Sequence, residues 1–145
     1  LIRKKIISAS DASPPPPADA KKIVFFLLED EHHEVGLLLA SFIAAERGFK
    51  VYYLGQNVPG ENIHEVLSIV NADFIMSMFV APKADKTVRQ IEKVLETTKT
   101  PFLISGNPQN FVSLIQNDRI VHLAKPESLI DFLNDNRGRT PLNGK

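Results

Sequence analysis

The chain contains no cysteine. That absence excludes a disulfide framework, a zinc–thiolate site and a thiol nucleophile together, and it fits a reducing compartment. Net charge is also missing, because 17 Lys and Arg balance 17 Asp and Glu. A neutral chain carries no electrostatic footprint for nucleic acid or an anionic membrane, so any DNA contact falls to another part of a longer polypeptide. No apolar run approaches a membrane span, and no secretory signal opens the sequence. A cytoplasmic location is the expectation. What is present, 145 residues of which 43% are hydrophobic and 23% charged, suits one globular domain around one core.

Residues 1–20 differ from the rest. Arg3, Lys4 and Lys5 lead into small polar residues and then Pro14, Pro15, Pro16 and Pro17. A proline run favours polyproline II and reads as a semi-rigid interdomain linker. The start at Leu1 instead of Met agrees with a piece of a longer parent. Residues 21–136 form the expected domain, and residues 137–145, with Gly138, Pro141 and Gly144, read as a mobile tail.

From Lys21 onward strands and helices alternate. Ile23–Leu28 is a continuous apolar run, as in a strand buried on both faces of a parallel sheet. His33–Arg47 carries Val35, Leu38, Leu39, Phe42 and Ile43 at helical spacing and is closed by Gly48. Further strands are expected at Lys50–Leu54, Phe74–Phe79, Pro101–Ser105 and Ile120–Ala124, and helices at Glu61–Val70, around Val88–Leu95, at Asn110–Gln116 and at Glu127–Asn134. Five such units predict a flavodoxin-like, doubly wound α/β domain. Its five-stranded parallel sheet takes the order 2-1-3-4-5, with helices on both faces.

Ligands of open α/β sheets bind at the carboxyl ends of the strands, where the strand order reverses. Strand one empties there into Glu29-Asp30-Glu31-His32-His33-Glu34-Val35-Gly36. A metal-binding imidazole usually donates its other N–H to a carboxylate, and Glu31 and His33 are spaced for that. Acidic residues at a helix start also suit the macrodipole, and solvated histidines there need no metal. The residues alone leave both readings open.

Glu31-x-His33-x-x-Gly36 resembles the Asp-x-His-x-x-Gly signature of cobalamin-binding domains, with Glu for Asp. The resemblance implies that His33 is the lower cobalt ligand, displacing the cofactor's own base, and that Glu31 accepts a hydrogen bond from its far nitrogen. It also implies a slot for the freed nucleotide tail between strands one and three, beside the end of strand four. Ser77-Met78-Phe79 stands where the family has Ser-x-Leu, and Ser105-Gly106 where it has Gly-Gly. On this basis Ser77, Ser105 and Gly106 shape the slot, Phe79 narrows it, and Val58 and Pro59, in a loop similar to the family's segment after strand two, close its rim. The run from Glu31 to Pro59 looks most like the domains that follow a MerR-type DNA-binding domain in bacterial transcription regulators. That likeness implies a corrinoid sensor that carries cobalamin (adenosylcobalamin or a relative), is not itself an enzyme, reaches DNA through an upstream domain, and forms homo-oligomers.

Two other readings share the fold. A degenerate response-regulator receiver would use Glu29-Asp30-Glu31, Ser105 and Lys125-Pro126, but Ser77, Met78 and Phe79 supply no carboxylate nucleophile at the end of strand three. A cobalamin-carrier domain of a methyltransferase or mutase would use the same His33 site, because the cofactor carries the difficult chemistry. Ser77 lacks the Gly-x-Ser-x-Gly elbow of a hydrolytic nucleophile. Glu29 with His32, and Asp30 with His33, match Glu/Asp-x-x-His spacing without the partner ligands of a dinuclear site. His64 reads as exposed and His122 as a satisfied strand histidine.

Overall fold

A computed structural model describes residues 15–28, 34–79, 84–106, 114 and 116–137. Glu31 and His33 lie outside the described residues, as do Glu29, Asp30 and His32, most of the helix expected at Asn110–Gln116, and most of residues 1–20 and 137–145, expected as linker and tail.

The strands are β1 (Lys22–Leu28), β2 (Lys50–Val58), β3 (Phe74–Phe79), β4 (Phe102–Gly106) and β5 (Ile120–Leu123). The helices are α1 (Glu34–Glu46), α2 (Ile63–Ile69, entered through a 3-10 turn at Gly60–Asn62), α3 (Ala84–Thr97) and α4 (Pro126–Asp135). All neighbouring strands are parallel, in the order β2-β1-β3-β4-β5. The flavodoxin-like arrangement expected from the alternating runs is the one observed.

The central strand explains the layering. Ile23 through Leu28 are fully buried, so β1 needs cover on both faces. Ile23, Phe25 and Leu27 point to a core shared with Leu37, Ala40 and Ala44 of α1 and Leu129 and Leu133 of α4. Val24, Phe26 and Leu28 point the other way, to Ile63 at the start of α2 and Ile91 and Val94 of α3. Pro126 begins α4, where its missing N–H leaves no bond unmade.

The sheet is regular at its amino edge and irregular at the other. There, Arg119 donates to the carbonyl of Leu95 at 2.9 Å and to that of Thr98, tying the end of α3 to the start of β5. At the carboxyl edge, β2 runs through the expected loop to Val58, and its register against β1 slips on either side of Phe26. Pairing of β1 with β3 covers only Ile23–Phe25 and Phe74–Met76. Past that point the Ser77 hydroxyl donates to the Phe26 carbonyl at 2.6 Å, joining β3 to β1 through a side chain.

Candidate functional site

The strands that separate at the carboxyl edge are β1 and β3, the pair flanking the reversal in strand order. Next to them, on the face covered by α1 and α4, a cavity of about 260 Å³ opens between the two helices. Met76 and Met78 of β3 form its floor, Leu39 and Ile43 of α1 one wall, and Leu129 of α4 the other. Ser105 at the end of β4 and Lys125 before α4 supply the polar side chains of the lining. Small-molecule pockets run from about 300 Å³ upward, so this cavity has room for a small group and not for a macrocycle.

Gly36 lines the cavity from the first turn of α1. A Cβ there would stand 3.1 Å from Met78 Sδ, so the missing side chain lets the helix start close over β3. That start is also tethered. Tyr53 donates its phenol to Glu34 Oε2 at 3.1 Å, and Gln56 donates its amide to Oε1 at 2.9 Å. Both donors come from β2, so the residue after His33 in the chain is bound to the outer strand of the sheet. An acidic side chain in a first helical turn also meets the positive end of the helix dipole.

The structure divides the residues singled out by sequence. Gly36 and Ser105 line the cavity. Ser77 and Phe79 do not. Successive strand residues point to opposite faces, so with Met76 and Met78 on the α1–α4 side, Ser77 and Phe79 face α2 and α3. Ser77 is fully buried with its hydroxyl on Phe26, and Phe79 packs edge-on against Phe102 with ring centroids 6.4 Å apart. Phe79, expected to narrow a slot for a nucleotide tail, thus faces away from this cavity by one residue of strand register. Val58 packs against the α2–α3 core, and Pro59 precedes the 3-10 turn, so neither rims the opening.

Gly106 adjoins the opening but answers to the backbone. Its φ is +142°, and a Cβ on it would fall 1.9 Å from the Phe79 carbonyl oxygen. His122 donates from Nε2 to the Gly106 carbonyl at 3.2 Å, which satisfies this strand histidine. His64 is exposed, with Nδ1 3.1 Å from the Thr97 carbonyl. Among the described residues no three His, Asp or Glu side chains converge as a metal site, and no helix is long and apolar enough to cross a membrane.

Sequence reasoning missed Met76, Met78, Glu34 and Tyr53. The two methionines do carry a signal, since they alternate with Ser77 and Phe79 along one strand. Choosing the correct alternate set requires knowing which helices cover which face.

No protein-family model matches the chain, and a search of curated proteins finds no match. Among solved structures it is similar to a cobalamin-binding protein from Desulfitobacterium hafniense DCB-2, with a TM-score of 0.57 and 23% identity over 79% of this chain and 56% of that one. It is similar to the methanol:cobalamin methyltransferase complex MtaBC from Methanosarcina barkeri, with a TM-score of 0.66 and 17% identity over 86% of this chain and 47% of that one. A third likeness is to the monomethylamine corrinoid protein of Methanosarcina barkeri, with a TM-score of 0.65 and 13% identity over 92% of this chain and 63% of that one. The chain thus spans less than two thirds of each of these structures. What it shares with these three proteins, each named for cobalamin or a corrinoid, is the flavodoxin-like fold.

Proposed function

We propose that the chain is a corrinoid-binding module of the carrier type, holding cobalamin or a related corrinoid with its nucleotide tail extended into the cavity between α1 and α4. The observation that carries this reading is the position of that cavity. It opens at the carboxyl edge, beneath the first turn of the helix that continues Glu31-x-His33-x-x-Gly36. His33 is the proposed lower cobalt ligand and Glu31 the acceptor for its far nitrogen.

The lining fits the tail. Apolar side chains and the bare backbone at Gly36 leave room for a flat aromatic base. Ser105 offers a hydroxyl, and Lys125, exposed at the mouth, brings a positive charge suited to a phosphodiester. When bound, the corrinoid supplies cobalt–carbon chemistry of its own, while the protein supplies binding, orientation and a fixed lower ligand.

The carrier role is preferred to the sensor role because the structural neighbours include a methyltransferase complex and a corrinoid protein. A MerR-type regulator, with DNA reached through an upstream domain and with homo-oligomers, draws no support from them. A phosphoacceptor is disfavoured by β3, which ends in Ser77-Met78-Phe79 without a carboxylate.

Absorption spectra test the proposal. The purified chain is mixed with hydroxocobalamin and with adenosylcobalamin, as wild type and as His33→Ala. The expected result is a histidine-ligated, base-off spectrum in the wild type that disappears in the variant. Indistinguishable spectra for the two proteins, or no cobalamin retained through gel filtration, would sink it.

A further inference from the structure

We infer that the cavity selects among corrinoids by their lower base, accepting a benzimidazole and discriminating against a purine. This selectivity depends on the chain binding corrinoids at all, as proposed for it. It concerns the part of the site formed by described residues.

The floor is two thioethers, Met76 and Met78, and the walls are aliphatic. Lys125 is exposed at the mouth, so among the described residues Ser105 is the polar side chain inside the cavity. A benzimidazole joined to its ribose through one nitrogen keeps a single acceptor nitrogen. One hydroxyl matches it in number. The remainder of that base is aromatic carbon and methyl, against which flexible, polarizable thioethers pack with favourable sulfur–aromatic contact.

A purine in the same place carries two further ring nitrogens, and adenine adds an exocyclic amine. The lining offers these groups no additional side-chain partners among the described residues. Polar groups taken from water and left unpaired cost free energy, and apolar pockets reject added polar groups by factors up to about a hundred. Met78 is the side chain best placed to change that balance, because it is half-buried and also lies under Gly36.

The test is a set of binding titrations, followed by absorbance and calorimetry, on the full chain. The ligands are cobalamin, the cobamide whose lower base is adenine, and cobinamide, which has no nucleotide. Cobalamin is expected to bind at least tenfold more tightly than the adenine cobamide, a difference of about 1.4 kcal/mol. Met78→Gln, which keeps the side-chain length and adds an amide, is expected to narrow that ratio at least threefold with an unchanged circular dichroism spectrum. The comparison of variant with wild type cancels whatever each free cofactor needs to release its base. If the variant fails to fold, the wild-type ratio decides once it is corrected by each free cofactor's own base-off equilibrium, measured by acid titration. Equal affinities for the two nucleotide-bearing corrinoids overturn this inference and leave the proposed function standing. Cobinamide binding as tightly as cobalamin, or no binding of any of the three, overturns the proposed function itself.

Discussion

The two faces of the sheet are built from the same strands and finished differently. Toward α2 and α3, Phe26, Phe79 and Phe102 sit ring against ring among aliphatic side chains, and among the described residues the clefts on that side are lined by no strand residue. Toward α1 and α4, Phe74 packs edge-on against Phe132 near the start of β3, but farther along the strand Met76 and Met78 line the cavity between the helices. Aromatic rings fill volume rigidly, whereas unbranched thioethers adapt to what lies beside them. The difference teaches that β3 does two tasks by alternation, sealing one layer and flooring an opening in the other.

The most direct way to break this contrast is to empty the sealed face. Phe79→Ala removes a fully buried ring and should cost about 3–5 kcal/mol of stability, read as a lower midpoint in urea unfolding with an unchanged slope. A loss under about 1 kcal/mol would mean that the two faces are packed alike. Ser77→Ala comes next. It leaves the buried Phe26 carbonyl without its side-chain partner and should cost about 1–3 kcal/mol in the same measurement. If it costs nothing, β1 and β3 are not held together by that hydroxyl. Gly36→Ala has the smallest expected effect on stability and sharpens the comparison from the open side. Helix propensity favours alanine by up to about 1 kcal/mol, while the flexible Met78 thioether must give by a few tenths of an ångström. Net stability should stay within about 1 kcal/mol of wild type, and cobalamin retention on gel filtration should fall. Full retention would show that the cavity is not filled near Gly36.

Much of the fold was legible because burial on both faces writes itself as uninterrupted apolar residues. Ile23–Leu28 announces a central strand, and runs of that kind separated by helical spacing leave few topologies. The length of β2 was hidden. Its continuation through Gly55, Gln56 and Asn57 combines positive φ at Gly55 and Asn57 with slips of register against β1, and those residues read as a loop. The site was legible in part. An acidic residue, a histidine and a glycine at fixed spacing are visible in any linear reading, and of these Gly36 lines the cavity. The floor was not visible, since Phe-Ile-Met-Ser-Met-Phe is apolar on both alternate sets apart from Ser77, and nothing local says which set meets α1. The tether of Glu34 to Tyr53 and Gln56 was equally hidden, because it joins residues 19 and 22 positions apart.

Gly106 carries a lesson about inheritance. Any other residue there would drive its first side-chain carbon into the Phe79 carbonyl, so selection for a folded protein is enough to keep the position unchanged. A descendant under no selection for any ligand would still hold this glycine. Its survival among distant sequences would record the architecture of a strand end and would say nothing about what the molecule carries.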